Sequence, residues 1–145
     1  MKKIFIIEDD PDMSVILTMA LGSVYHVKIA NDCENLLDKL VAFLPDLILT
    51  DFLVGIVKAT EIMQRVRAVE ALKNIPVLLY SGHPLIEQYA VEMKAVAFLS
   101  KPFDMVTLRT CVQKVFTNNV TAETKQCSCS RQNKDVCILN SQQNN

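Results

Sequence analysis

Six side chains capable of chemistry stand at the ends of four short apolar runs. Glu8, Asp9 and Asp10 follow the run Lys3–Ile7. Asp51 closes Leu47-Ile48-Leu49-Thr50. Ser81 ends Val77–Ser81, and Lys101, followed by Pro102, comes directly after Val96–Ser100. Carboxylates crowded at one point repel and do not all stay ionised without a counter-charge. A hard divalent cation with oxygen ligands relieves this, and Mg²⁺ suits it, taking one or two carboxylates and keeping several waters. A metal and an ammonium neutralise phosphoryl oxygens, a carboxylate is a competent nucleophile, and a hydroxyl can donate to the arriving group. The set therefore points to phosphoryl chemistry on Asp51, with Ser81 and Lys101 as its partners.

Taken singly, each residue has a plainer explanation. Asp10 is a helix cap, Lys101 a surface lysine, Ser81 a turn residue, and Glu8 and Asp9 the acids of a loop. Their joint placement is what matters, so the elements that position them decide the question. Five β-rich runs are present: Lys3–Ile7, Val24–Ala30, Asp46–Thr50, Val77–Ser81 and Val96–Ser100. Between and after them lie stripes with helical spacing. These are Met13, Ile16, Leu17, Ala20 and Leu21; Cys33 through Leu44; Ala59, Ile62, Met63, Val66 and Val69; Ile86, Tyr89, Ala90 and Met93; and Leu108, Cys111, Val112, Val115 and Phe116. Core packing accounts for all of their Met, Cys and aromatic members.

Alternating β and α elements imply α/β architecture, a parallel sheet with helices on both faces. Four runs are nearly continuous apolar stretches, as strands buried on both faces should be. The second alternates, with His26 and Lys28 between Tyr25, Val27 and Ile29, which marks an edge strand. An edge position for the second strand fits a doubly wound five-stranded sheet of order 2-1-3-4-5, the flavodoxin-like (βα)5 arrangement. In that order strands one, three, four and five are contiguous, and their carboxyl ends gather the candidate residues. Asp10 before Pro11 predicts a helix start, Asn31 predicts a cap for the second helix, and Pro84 a start for the fourth.

The 145 residues, half of them hydrophobic, suffice for one domain with a substantial core. A formal net charge of −1 gives no electrostatic case for nucleic acid or an anionic membrane. No apolar run approaches the roughly 20 residues that span a bilayer. The apolar stretch Ile4–Ile7 is too short for a secretion signal, so a cytoplasmic location is expected, with free thiols. Residues 1–117 form the expected domain and 118–145 a polar Asn/Gln/Ser/Cys tail. Seven Asn or Gln fall within its last fourteen positions, too polar a run to build a core, so flexibility is expected there. "VCILN" (136–140) is its one apolar patch. Cys127, Cys129 and Cys137 lack a fourth metal ligand in the tail and are expected to be plain solvated residues.

The chain resembles a response-regulator receiver domain of two-component signalling, of the stand-alone type, from about Lys3 to Phe116. "IFIIEDDPDM" is similar to the family's opening strand and acidic pair, "PDLILTD" to its phosphoacceptor strand, "IPVLLYSG" to its switch strand, and "FLSKPFD" to its last strand. The resemblance implies Asp51 as phosphoacceptor. It implies Mg²⁺ held by Glu8, Asp9, Asp51 and the Leu53 main-chain carbonyl. Ser81, Lys101 and Phe98 become the phosphoryl-binding and switch residues, and the bond before Pro102 a candidate cis peptide. Gly55 and Ala59 stand where the family usually has Pro and Gly, so the loop after Asp51 is expected to be more mobile or differently set. Val96 and Ala97 replace acids used in a common dimer. A monomer or a weak phosphorylation-dependent dimer is therefore expected. Phe98 replaces the commoner Tyr.

The function implied is a phosphoprotein response regulator. It takes a phosphoryl group from a histidine kinase or histidine phosphotransfer protein and signals to a downstream protein partner by a two-state change in which Phe98 turns inward. The competing reading is a receiver-like protein-binding module never phosphorylated in use. An enzyme that hydrolyses aspartyl phosphate would want an acid/base two residues after the nucleophile, where Leu53 stands, so no enzymatic role beyond self-phosphorylation and autodephosphorylation is expected. No second domain is apparent after residue 117, so DNA binding within the chain is not expected.

Overall fold

A computed structural model of the protein describes residues 1–117 and 136–138. Strands β1 (Lys3–Ile7), β2 (His26–Ala30), β3 (Leu47–Asp51), β6 (Val77–Ser81) and β7 (Ala97–Ser100) run parallel, in the order β2-β1-β3-β6-β7. Two short strands, β4 (Leu53–Val54) and β5 (Val57–Lys58), form a separate antiparallel hairpin. The helices are α1 (Pro11–Leu21), α2 (Leu36–Phe43), α3 (Ala59–Arg67), α4 (Ile86–Glu92) and α5 (Met105–Thr117). The doubly wound parallel sheet expected from the sequence is present, with the second strand at the edge.

Side chains of a strand alternate between faces, and that period divides the core in two. Ile4, Ile6, Leu47, Leu49, Leu78, Tyr80, Ala97 and Leu99 pack with Leu17, Ala20 and Leu21 of α1 and with Leu108, Cys111, Val112 and Val115 of α5. Phe5, Ile7, Ile48, Val77, Leu79 and Phe98 pack on the other side with α2, α3 and α4. Burying one such Leu or Ile contributes roughly 1.5–3 kcal/mol, so two full layers fix the strand register firmly. A slip of one residue would exchange the two faces.

Three sequence expectations are corrected. β2 starts at His26 rather than Val24, because the Val24 and Tyr25 amides both donate back to the Leu21 carbonyl and close the end of α1. Asn31 does not cap α2. The helix begins at Leu36, after Asp32 Oδ1 accepts from the Glu34 amide and Asn35 takes a left-handed φ of 51°. The third is the strand count, to which the tail adds one. Val136–Ile138 forms β8, antiparallel to β7, with Phe98 in register with Cys137, so the sheet has a sixth strand. A bare outer edge on β7 presents unpaired N–H and C=O groups, and the tail's β-rich run satisfies them. Residues 118–135 and 139–145, and with them the expectation of flexibility and the readings of Cys127 and Cys129, lie outside the described residues.

Asp10 caps α1 as expected, accepting from the Asp12 amide at 2.9 Å. His26 is exposed and meets the Phe43 ring edge-on at 5.2 Å, the ordinary edge histidine that the alternation predicts.

Candidate functional site

The alternation that builds the core also aims the site. Ile4, Ile6 and then Glu8 point to the α1/α5 side, as do Leu47, Leu49 and then Asp51. Asp51 is aligned with Tyr80 across β3 and β6. Asp9 and Ser81 follow the opposite parity, that of Ile7 and Leu79. Both sets end at the carboxyl edge of the sheet, where open α/β sheets place their sites.

Asp51 is the hub. Its Oδ2 pairs with Lys101 Nζ at 2.7 Å, and its Oδ1 accepts the Phe52 amide at 2.7 Å. The two charged side chains are 17% and 28% exposed, enough for a small reactant to reach them. Lys101 Nζ also stands 5.2 Å from the centroid of the Tyr80 ring. The Lys101–Pro102 peptide is cis, as the sequence led us to expect.

Glu8 is fully buried. Its Oε2 is 3.5 Å from the Asp10 amide that donates to it, while Oε1 has no partner. Burial raises its pKa above the usual carboxylate range, and the Asp51 charge raises it further. The Lys101 charge and the hydrogen bond from the Asp10 amide oppose the rise. Asp9 is exposed, and its Oδ2 accepts from the Gly55 amide at 2.8 Å. That bond ties the β4–β5 hairpin to the acidic pair. Gly55, at φ +62°, is the first central residue of the hairpin's two-residue turn, a position that favours glycine. The unusual glycine after Asp51 thus sets the loop as an anchored hairpin. Leu53 opens the hairpin and is 47% exposed, two residues after Asp51.

Ser81 is buried, and its Oγ accepts from the His83 amide at 3.0 Å rather than touching Asp51. A hydroxyl that accepts one bond still has its proton to donate. Phe98 corrects another expectation. Its ring, 4% exposed, already lies in the core with α2, α3 and α4. A Tyr at this position would have a hydroxyl to keep wet; a phenyl ring has no such tie to the surface.

No three His, Cys, Asp or Glu side chains among the described residues close into a ready-made cation cage. The donor set nevertheless fits Mg²⁺, which needs only one or two carboxylates and completes its shell with water. Glu8 Oε1, buried and unpartnered, is an oxygen in want of a cation or a donor.

Three ring residues at the site, Phe52, Tyr89 and Tyr80, escaped the sequence reading. Phe52 stacks on Tyr89 at 4.1 Å, and His83 meets Tyr89 edge-on at 5.0 Å, forming an aromatic wall beside Asp51. Tyr89 looked like core because its helical spacing is that of core. Tyr80 looked like one more apolar strand position. The signal that would have found it is parity, since it shares a face with Asp51 on the neighbouring strand.

Comparison with known proteins agrees with this geometry. The family model described as response regulator receiver domain matches residues 4–113. The chemotaxis response regulator CheY4 of Vibrio cholerae superposes with a TM-score of 0.73 at 25% identity, covering 79% of this chain and 98% of that one. A response regulator from Chloroflexus aurantiacus gives 0.73 at 26%, covering 80% and 98%. Among curated relatives, the sensor histidine kinase TmoS of Ectopseudomonas mendocina is 26% identical over 94% of this chain. The DNA-binding regulator RpaA of Synechocystis is 32% identical over 72%. The chain spans only 14% of the first and 45% of the second. A parallel sheet with an acidic pair, an Asp ending β3 and a lysine at its carboxyl edge fits the receiver modules of two-component signalling that the family model describes. The chain belongs to the response regulator receiver family.

Receiver domains are signalling modules, generally non-enzymatic, that act with histidine kinases and downstream effectors, and the family generally uses Mg²⁺. No helix among the described residues is long and apolar enough to cross a membrane.

Proposed function

We propose that residues 1–117 work as a receiver whose phosphoacceptor is Asp51, loaded by a phosphohistidine of a kinase or phosphotransfer protein. The observation that carries this reading is the 2.7 Å pair between Lys101 Nζ and Asp51 Oδ2 beside the buried, incompletely paired Glu8. Glu8, Asp9, Asp51 and the Leu53 carbonyl would hold Mg²⁺, which supplies charge neutralisation for the phosphoryl oxygens. An Asp51 carboxylate oxygen attacks phosphorus. The P–N bond of the donor breaks as the P–O bond of the acyl phosphate forms, and the imidazole leaves with the electron pair. Negative charge moves from the carboxylate to the phosphoryl oxygens, and Lys101 follows it. Ser81 donates its hydroxyl proton to a phosphoryl oxygen while keeping the His83 amide bond. Because Phe98 is already inside, the change passed to a downstream protein runs through the Ser81-Gly82-His83 loop and the Phe52–Tyr89 wall. With Val96 and Ala97 in place of acids, the chain works as a monomer or a weak phosphorylation-dependent dimer.

The test is labelling with acetyl phosphate, with Mg²⁺ or with a chelator, read by mass spectrometry of the intact protein and its peptides. Wild type should carry one phosphoryl group, on Asp51, only when Mg²⁺ is present. Asp51→Asn should fold and take none. Equal labelling in chelator, or an adduct on Asp51→Asn, overturns the reading.

A further inference from the structure

Tyr80 is the largest fully buried side chain of the domain, and it lies where β6 meets the site. The ring meets Phe103 edge-on at 5.9 Å, just past the cis peptide, and sits under Lys101 Nζ at 5.2 Å. Its hydroxyl lies against the Glu8 carboxylate, yet neither the hydroxyl nor Glu8 Oε1 completes a hydrogen bond in this state. Two buried polar atoms without partners, side by side, are costly, on the order of 1–3 kcal/mol each. An ordinary core position would be filled by Leu or Val at no such cost. A phenol hydroxyl is a donor, and the unpartnered Glu8 oxygen beside it is an acceptor.

We propose that Tyr80 is a positioning residue of the phosphoryl-transfer site: its hydroxyl orients the Glu8 carboxylate for the divalent cation, and its ring holds the Lys101 ammonium against Asp51. The inference rests on the reading of Asp51 as acceptor and of Glu8 as part of the cation site. The two halves act on different steps. A partner that orients a metal-binding carboxylate typically changes metal affinity by 10–100-fold. A ring beneath an ammonium steadies the cation without binding the metal. The hydroxyl should therefore appear in Mg²⁺ affinity, and the ring in transfer once metal is saturating.

The experiment measures Mg²⁺ binding to the unphosphorylated full chain by calorimetry, then labelling by acetyl phosphate at saturating Mg²⁺. Three proteins are compared: wild type, Tyr80→Phe and Tyr80→Met. Tyr80→Phe keeps shape and ring and removes an unpartnered hydroxyl, so it should fold with an unchanged or higher melting midpoint. Its Mg²⁺ dissociation constant should rise about tenfold, with labelling at saturating metal within twofold of wild type. Tyr80→Met fills the space without a ring and should also label more slowly at saturating metal. A Mg²⁺ affinity in Tyr80→Phe equal to wild type overturns the proposal whatever Tyr80→Met does, including failing to fold. Labelling of Tyr80→Met at the wild-type rate removes the role of the ring. Wild type that binds Mg²⁺ but takes no label refutes the acceptor reading while leaving the affinity comparison intact. Wild type that binds no Mg²⁺ overturns the cation site and this inference together.

Discussion

Magnesium should raise the melting midpoint of the wild-type chain by about 10 °C, and Asp51→Asn should lose most of that rise. Glu8 and Asp51 are neighbouring carboxylates, and Glu8 is fully buried with an oxygen unpartnered. Two unit charges about 4 Å apart repel by roughly 4 kcal/mol at an effective dielectric of 20. Lys101, paired to Asp51 at 2.7 Å, offsets part of this but leaves Glu8 Oε1 bare. A ligand at a hundred times its dissociation constant stabilises the folded state by about 2.7 kcal/mol. At roughly 4 °C per kcal/mol for a domain of this size, that is the shift given above. Asp51→Asn keeps an Oδ1 to accept the Phe52 amide but presents an amide donor to the Lys101 ammonium. Losing a partly exposed ion pair costs about 1 kcal/mol, and relief of the repulsion on Glu8 works against that cost. The metal-free midpoint of the variant should therefore stay within a few degrees of wild type, while its response to Mg²⁺ falls below about 3 °C. Scanning calorimetry in chelator and in Mg²⁺, at matched ionic strength, decides. Equal rises in both proteins would show that the cation does not bind at Asp51.

Burial pushes the Cys111 thiol up to about 11 from its ordinary 9.0. An acid whose folded pKa is raised gives stability that is whole below the unfolded pKa and lost as pH climbs through the folded one. Between pH 9 and 11 wild type should lose up to about 1.4 kcal/mol per pH unit on this account, and Cys111→Ala should show a flatter slope in denaturant melts; equal slopes contradict it. Leu53 stands exposed beside the acceptor and neither orients nor admits a water well, so Leu53→Asn should speed loss of label from Asp51 several-fold, measured by intact mass over time; unchanged release removes the idea. Truncation after Asn119 deletes β8, whose ladder bonds, worth about 1 kcal/mol each, are offset by roughly 1–2 kcal/mol per ordered residue. The melting midpoint should move by only a few degrees, and a fall above about 10 °C would show that the tail is part of the core.

Most of the candidate site was legible because one rule, strand periodicity, governs both the core and the carboxyl edge of the sheet. A buried strand with a carboxylate at its end has few explanations, so Asp51 announced itself. Asp9, Ser81 and Lys101 did so only when strand order brought them near it. What escaped was what periodicity does not encode. Tyr80 fits an apolar strand by size, and only its hydroxyl, invisible to a hydrophobic pattern, distinguishes it. The inward Phe98 depends on packing against helices elsewhere in the chain, and the anchored Gly55 hairpin on a bond from Asp9, 46 residues away. The start of α2 moved because Asp32 offered the chain a local turn that competes with a helix cap. β8 was hidden because three residues in a polar tail carry too little pattern to outweigh their surroundings, and the edge they satisfy belongs to a strand far away in sequence.

The division of the core gives the proposed switch its mechanical sense. Glu8, Asp51, Tyr80 and Lys101 belong to the α1/α5 side, whereas Asp9, Ser81 and Phe98 belong to the side of α2, α3 and α4. The two layers meet only at the sheet, which is rigid and shared. The ion pair from Asp51 stays on its own side, to Lys101, and Ser81 faces its own loop. On the proposed reading, an acyl phosphate on Asp51 would extend past the sheet edge, where it could be reached from both sides at once. Lys101 would then grip it from one layer and Ser81 from the other. A change of one charge at one strand end thus becomes a bond between two packed layers. Such a bond can shift the loop after β6 without disturbing either core. On this account the β6 loop, more than the Phe98 ring, carries the signal.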